Sequence, residues 1–143
     1  MYAKLITDDT IDAQTFTHVL QQAGLAVVTA RNLEIALDKW SENPADMILS
    51  VIIDPSPEEQ VRQIRAITLV PLILMVRKLD AYEQYELLKL GADLIIEPNF
   101  NTRLLIGQIG VAMRRAGSVP AFALPTLDAP GLTLDPANRA VKV

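Results

Sequence analysis

The chain has 143 residues, which is enough for one domain of ordinary size and a short appendage. Half of the residues are hydrophobic but aromatic ones are scarce, so a core would consist of Leu, Ile, Val and Ala. The formal net charge of −4 lies within residues 1–115, where 11 Lys and Arg stand against 15 Asp and Glu. Such an acidic region is a poor candidate for direct binding to the phosphate backbone of nucleic acids.

Cysteines and long apolar segments are both missing from the sequence. The lack of cysteine excludes disulfides and thiolate metal sites and is compatible with a reducing compartment. No segment approaches about 18 continuous apolar residues, and no basic stretch precedes an apolar run at the N-terminus. We therefore expect a soluble, cytoplasmic protein that does not contact membranes.

Short apolar runs and amphipathic segments alternate along the chain, with five of each. The apolar runs, which are rich in Val, Ile and Leu, cover residues 3–7, 25–29, 47–53, 71–76 and 94–96. They are continuous rather than alternating with polar residues, which is typical of strands buried on both faces.

Helical periodicity and capping residues define the five segments between and after these runs. Leu33, Ala36, Leu37 and Trp40 form one apolar stripe, which extends the second predicted helix to Trp40. The third helix is predicted at about 58–66, with Val61 and Ile64 facing inward. The residues predicted to begin or end the other helices are Gly24, Asn32, the Asp80–Glu83 capping box, Gly91 and Asn101.

Strict alternation of strands and helices predicts a parallel sheet with helices on both faces. Five strand–helix units within residues 1–115 fit a flavodoxin-like, doubly wound α/β fold with strand order 2-1-3-4-5 and five helices. Ligands of this fold bind at the carboxyl ends of the strands. The residues at those ends are Asp8 and Asp9, the segment 51–54, Val76 and Arg77, and Glu97.

The segments around these strand ends resemble, in order and at similar spacing, the receiver domains of bacterial response regulators. Residues 4–9 (Lys-Leu-Ile-Thr-Asp-Asp) resemble the strand that carries the family's acidic pair, and residues 46–51 and 71–76 resemble its third and fourth strands. Gly-Ala-Asp at 91–93 and Glu-Pro-Asn-Phe at 97–100 also match the family. A last matching segment begins at 103–105 and extends to the arginines at 114–115. The resemblance covers residues 3–115 and implies the CheY-like form of the fold.

The chain departs from the family at three of the five residues of the phosphorylation pocket. The phosphoacceptor aspartate falls on Val51, which has no nucleophilic oxygen. The hydroxyl residue that contacts the phosphoryl group falls on Val76, and the family's lysine falls on Glu97. Ser50 does not replace the aspartate, because successive side chains of a strand point to opposite faces. We therefore expect a pseudo-receiver that is not phosphorylated and has no enzymatic activity.

Two interpretations remain for the acidic pair Asp8 and Asp9. They are structural acids, with Asp9 or Thr10 capping the first helix, or they form a weak Mg²⁺ or Ca²⁺ site. Asp54 or Glu97 would complete such a site. Glu97 beside the pair would crowd three negative charges together and repel a phosphoryl anion. We expect no other cofactor.

The regulatory surface implied by the resemblance also differs from the family. The aromatic switch position is Leu94. OmpR/PhoB-type regulators dimerise through helix 4, strand 5 and helix 5, a face that here would contain Lys89, Asp93, Arg103, Leu104 and Gln108. Leu104 replaces a family glutamate and makes the face more apolar, so that a constitutive homodimer is predicted. Alternatively, Tyr85 or Leu88 of the same chain covers Leu104.

Residues 116–130 contain three prolines and are predicted to be a linker. Residues 131–143 resemble the first strands of the winged-helix domain of OmpR/PhoB-type transcription factors, so DNA would be bound by a C-terminal domain that is mostly missing here. The sequence as a whole favours an atypical, phosphorylation-independent response regulator that controls transcription. The alternatives are a stand-alone protein-interaction or small-ligand-sensing domain that uses the strand-end pocket, and a phosphotransfer-competent receiver that uses Asp54 or Asp9.

Overall fold

The computed structural model describes residues 1–118, and all contacts below belong to this range. Within it, five parallel strands form one sheet in the order β2-β1-β3-β4-β5, as predicted. The strands are β1 (Tyr2–Ile6), β2 (Ala26–Ala30), β3 (Met47–Ser50), β4 (Leu72–Met75) and β5 (Leu94–Ile96). Residues 1–113 form one compact unit. Most of the predicted linker and all of the predicted second domain lie outside the described residues.

Five helices follow the strands, as the sequence predicted: α1 (Thr10–Gln22), α2 (Leu33–Leu37), α3 (Pro57–Arg65), α4 (Ala81–Leu90) and α5 (Thr102–Ser118). Side chains cap all five helix N-termini, and the capping residues are Asp9, Asn32, Ser56, Asp80 and Asn101. Asp80 and Glu83 form the predicted capping box. Each cap accepts a hydrogen bond from a backbone N–H that has no partner within its own helix.

Two apolar clusters, one on each face of the sheet, form the core. Alternate residues of β3 point to opposite faces, so Met47 and Leu49 belong to one cluster and Ile48 to the other. The first cluster contains buried residues of α1 and α5, including Phe16 and Leu105. The second contains buried residues of α2, α3 and α4. Because the strands are parallel, the carboxyl ends of β1, β3, β4 and β5 lie at the same end of the sheet.

Three local predictions were wrong. The second helix ends at Leu37, and Trp40 lies in a separate 3₁₀ turn that follows Lys39 in a left-handed conformation (φ 52°). Trp40 is nevertheless buried, as its apolar stripe indicated. Strand β2 is at the edge of the sheet and is not buried on both faces, since Val28 is 48% exposed. Strand β3 ends at Ser50, and the apolar residues 51–53 continue as a loop.

No helix in residues 1–118 is both long enough and apolar enough to cross a membrane.

Candidate functional site: an apolar strand-end groove

Val51 and Val76, the two valines at pocket positions, lie together where β3 and β4 end. The backbone N–H of Val51 donates to the carbonyl oxygen of Ile6 (2.9 Å), and that of Val76 donates to Ile96 (3.0 Å). Both side chains are buried. They line a groove of about 420 Å³, which we call the strand-end groove. Its other lining residues are Ile52, Ile53, Pro57, Met75, Arg77, Lys78 and Leu79.

The acidic residues predicted for the same pocket are not part of this groove. Asp9 caps α1, with its Oδ1 accepting from the N–H of Asp12 at 2.9 Å, which supports the structural interpretation of the acidic pair. Asp8 is exposed, and so is Glu97 directly after β5. Within residues 1–118, no three His, Cys, Asp or Glu side chains come together as a metal-binding group. Within this range, Asp54 and Glu97 therefore do not complete a metal-binding group with Asp8 and Asp9, as the second interpretation would require.

Ser50 points away from the groove and takes part in a buried hydrogen-bond network. Its hydroxyl donates to Oε1 of Gln60 at 2.5 Å. The amide group of Gln60 donates in turn to the carbonyl oxygens of Ile52 (3.0 Å) and Pro55 (2.8 Å). Gln60 is only 1% exposed, and all of these contacts lie on the α3 side of the sheet. The network fixes the loop between β3 and α3, which forms one wall of the groove.

Arg77 forms an ion pair that reaches from the end of β4 to the start of α1. One of its Nη atoms lies 3.4 Å from a carboxylate oxygen of Asp12. Because β3 lies between β1 and β4 in the sheet, the pair joins segments that follow the strands on either side of β3. The next residue, Lys78, is exposed and makes no ion pair with any other residue of the range 1–118.

The residues of the predicted dimer face are on the surface formed by α4, β5 and α5. Leu104 is 61% exposed, so Tyr85 and Leu88 do not cover it; they are exposed themselves. Lys89 lies 3.6 Å from Glu86 and over the ring of Tyr85. Arg103 is exposed, Gln108 is half-buried, and Leu94, at the switch position, is half-buried against the cluster of α1 and α5.

Asp93, another residue of that face, forms an ion pair within the chain. Its Oδ2 accepts from Nη2 of Arg65 (2.9 Å) and from the backbone N–H of Leu72 (2.8 Å). Arg65 also donates to the carbonyl oxygens of Gly91, Thr68 and Val70, at 2.8–3.1 Å. The guanidinium group thereby joins the end of α3 to the segments that lead into β4 and β5, an arrangement that we call the Arg65 clamp.

Gly91 is required at the clamp for two reasons. Its φ of 132° lies in a region that favours glycine, and it ends α4 as predicted. A Cβ at this position would also lie 3.0 Å from Cγ and Nε of Arg65. The close approach of Arg65 to this backbone thus depends on the absence of a side chain.

The sequence interpretation missed Gln60 and Arg65. Gln60 lies one turn before Ile64 on the inward stripe of α3, and a polar residue on such a stripe indicates a buried hydrogen-bonding role. Arg65 is the last residue of the same helix. A cation there is expected to interact with the negative end of the helix dipole, which indicates no further contact. Its acceptors are contributed by residues up to 28 positions away, and the local pattern does not show them.

Comparison with known proteins identifies the class of this fold. No protein-family model matches the chain. A protein of Haemophilus influenzae named transcriptional regulatory protein CpxR homolog is 30% identical over 116 residues, which cover 80% of this chain and 51% of that protein. A two-component response regulator from Clostridium difficile superposes with a TM-score of 0.72 at 26% identity, over 82% of this chain and all of that one. A CheY-like receiver domain from Methanospirillum hungatei has a TM-score of 0.71 at 19% identity, over 81% and 95% of the two chains.

These similarities identify the described part of the chain as a response-regulator receiver domain with the CheY-like fold. Over 116 residues it is homologous to a CpxR-type regulator. The chain spans about half the length of the CpxR homolog.

Proposed function

We propose that this domain is an atypical receiver that acts without phosphorylation, by forming a homodimer that positions a DNA-binding domain. The observation that carries the proposal is the buried valine at position 51, next to Val76 in the strand-end groove. An aspartyl phosphate needs a carboxylate nucleophile at the end of β3, and a hydrocarbon side chain cannot supply one. In this proposal the domain is not an enzyme.

Other groups near the groove are poor substitutes for the missing aspartate. The hydroxyl of Ser50 is 1% exposed and donates to Gln60, on the opposite face of β3. Asp9 uses one carboxylate oxygen to cap α1. Asp54 is exposed in the loop after β3, with neither a hydroxyl residue at the end of β4 nor a lysine at the end of β5 to meet a phosphoryl group.

The exposed apolar side chains of the α4–β5–α5 surface support dimerisation. Tyr85, Leu88 and Leu104 are 56%, 46% and 61% exposed, and contacts between two copies would remove them from water. Lys89 and Arg103 lie on the same surface and would form a charged rim. Asp93 belongs to this rim only in part, because its carboxylate is held by Arg65.

The transcriptional role rests on the CpxR homolog, which is named as a transcriptional regulatory protein. A DNA-binding domain following residue 131 would contact the promoter, and the acidic receiver would not. Such a regulator works in the cytoplasm, and its receiver would remain dimeric whatever the state of a partner kinase.

Incubation with acetyl phosphate and Mg²⁺, followed by intact-mass measurement, tests the loss of phosphorylation. We expect no increase in mass by a phosphoryl group, while a phosphorylatable receiver domain treated in parallel shows one. A phosphoryl adduct mapped to Asp54 or Asp9 would support the phosphotransfer-competent alternative and end this proposal.

Sedimentation equilibrium of the chain tests dimerisation through the α4–β5–α5 surface. We expect a dimer that does not respond to Mg²⁺ with beryllofluoride and that dissociates in Leu104→Glu, because two carboxylates would be buried against apolar side chains. Ile35→Glu is the matched control, since Ile35 is an exposed residue of α2, which packs against β1 and β2 at the other side of the sheet. A monomeric wild type, or dimerisation only with beryllofluoride, would refute the constitutive dimer.

A further inference from the structure

We propose that the strand-end groove binds a small amphipathic anion, a molecule with one carboxylate on a hydrocarbon body. The inference goes beyond the proposed function, with which it shares only the premise that the groove is no longer a phosphoryl site. A ligand bound there would lie between the loops that follow β3 and β4. It would give the domain an input that does not pass through phosphate chemistry.

The floor and walls of the groove are suited to a hydrocarbon. Val51, Val76 and Met75 are buried at its base, and Leu79 and Pro57 line its sides. A volume of about 420 Å³ is within the range of small-molecule sites. Aspartate and threonine side chains at positions 51 and 76 would hydrate this space, whereas the valines favour contact with apolar atoms.

The charge at the rim selects an anion. Arg77 and Lys78 both line the groove, although the chain as a whole has a net charge of −4. Arg77 is shared with Asp12 at 3.4 Å, while Lys78 has no ion-pair partner within residues 1–118. The Lys78 ammonium group is therefore the principal partner for a carboxylate, with Arg77 adding to the positive potential.

The same geometry disfavours free phosphate. A dianion placed against Val51 and Val76 would lose its hydration without gaining hydrogen-bond donors from those side chains. A carboxylate on a hydrocarbon body can instead remain at the wet rim while its apolar part covers the valines. The groove thus separates an apolar base from a cationic edge, as an amphipathic ligand requires.

One wall of the groove is fixed before any ligand arrives. Gln60 donates to the carbonyl oxygens of Ile52 and Pro55, and this holds the loop after β3 at both of its ends. On the opposite side, Val76 is tied to β5 by its hydrogen bond to Ile96. A preformed wall lowers the entropic cost of binding.

The test is a titration of the ¹⁵N-labelled chain followed by two-dimensional NMR. The probes are 3-phenylpropionate, 3-phenylpropylamine, which places an ammonium group on the same hydrocarbon body, and the body-less anions acetate and inorganic phosphate. We expect 3-phenylpropionate to shift the amide signals of residues 51–53 and 75–79, with a dissociation constant on the order of 1 mM. Binding of the amine, acetate and phosphate should be weaker by about tenfold or more.

Variants assign the binding to the groove. Lys78→Gln should weaken 3-phenylpropionate binding by about fivefold to tenfold through loss of the charge contact. Lys39→Gln, at an exposed lysine between α2 and the 3₁₀ turn of Trp40, is the matched control and should leave binding unchanged. Val76→Thr tests the apolar base of the groove. Threonine has nearly the same shape as valine but adds a hydroxyl group, so this substitution should also weaken binding.

Three results would overturn the proposal: no signal shifts up to about 10 mM probe, equal binding of the carboxylate and the amine, or shifts confined to the α4–α5 surface. Repeating the titration in Leu104→Glu separates the two proposals. Binding that survives in this variant stands apart from dimerisation. A failed titration leaves the mass and sedimentation results on the proposed function untouched.

Discussion

The two ends of the central sheet contain very different polar chemistry. At the amino ends of β4 and β5, the Arg65 guanidinium group donates to three backbone carbonyls and to Asp93, and each donor group has an acceptor. At the carboxyl ends, Val51 and Val76 are buried at the predicted pocket positions, and Asp8 and Glu97 are exposed. One end is a completed hydrogen-bond network, and the other is an apolar groove with charges at its rim.

The difference separates residues that hold the fold from residues that would perform a reaction. Gln60 belongs to the first group even though it lies near the groove, because its amide fixes the backbone after β3. In the proposed atypical receiver, the fold and the loop after β3 would therefore keep a defined shape without the phosphorylation residues. Substitutions at Arg65, at Gln60 and at the Arg77–Asp12 pair measure how much each set of contacts contributes to the free energy of unfolding.

The largest effect is expected from Arg65→Met. Methionine keeps much of the apolar stem but leaves the carbonyl oxygens of Gly91, Thr68 and Val70 without their donor and Asp93 without its cation. We expect the free energy of unfolding to fall by about 3 kcal/mol, since each abandoned acceptor loses a charge-assisted hydrogen bond. Urea unfolding followed by the fluorescence of Trp40, the single tryptophan, measures this change.

Arg62→Met is the control for the clamp. Arg62 lies on the same helix, and its ion pair with Glu59 is 3.8 Å long and largely exposed. Its loss should change the free energy of unfolding by less than about 0.5 kcal/mol. Equal effects of the two substitutions would mean that the clamp contributes no more than a surface ion pair. Measurements at several protein concentrations separate folding from association.

The second effect is expected from Gln60→Leu, which keeps the size of the side chain. It leaves the carbonyl oxygens of Ile52 and Pro55 without donors, and the Ser50 hydroxyl without an acceptor. We expect a loss of about 2 kcal/mol in the free energy of unfolding. The exposed Gln63, whose amide donates a hydrogen bond to Glu59, provides the control substitution Gln63→Leu, with a change near zero.

Adding Ser50→Ala to Gln60→Leu tests whether the network acts as a unit. In the wild type, Ser50→Ala removes one partner of Gln60, while in Gln60→Leu it removes a hydroxyl that is already unpaired. Ser50→Ala should therefore lower the free energy of unfolding by about 1 kcal/mol less in the Gln60→Leu variant than in the wild type. Additive effects would show that the 2.5 Å contact contributes little.

Most of the fold could be predicted from the sequence because the signals are local. Apolar runs identified the five strands, and Asn32, Asp80 and Gly91 marked helix ends by their capping chemistry. The second helix was overextended because the stripe to Trp40 has the same spacing whether a helix or a 3₁₀ turn presents it. The exposure of β2 follows from its place at the edge of the sheet, which the predicted strand order implies although the apolar run itself does not show it.

The site was predictable in part. Aligning the segments placed Val51 and Val76 at the strand ends, and β4 and β3 bring them into one groove. The sequence left open whether Asp9 caps α1 or joins Asp8 in a cation site, and in the structure Asp9 accepts a hydrogen bond from the N–H of Asp12. The contacts of Arg65 and Arg77 join distant segments, so their roles became visible only in three dimensions.

The smallest effect is expected at the ion pair of Arg77 and Asp12, which spans the carboxyl end of the sheet. At 3.4 Å, with the arginine side chain 53% exposed, it should contribute about 0.5 kcal/mol at low ionic strength and less at 0.5 M salt. A double-mutant cycle with Arg77→Gln and Asp12→Asn, measured by urea unfolding at both salt concentrations, isolates this term. A salt-independent coupling above about 1.5 kcal/mol would mean that the pair is shielded from solvent. Polar contacts would then stabilise the carboxyl end of the sheet as well, as the Arg65 clamp stabilises the amino ends of β4 and β5. A weak, screened coupling would leave the Arg77 guanidinium group available to an anion at the groove, because little stability opposes its release from Asp12.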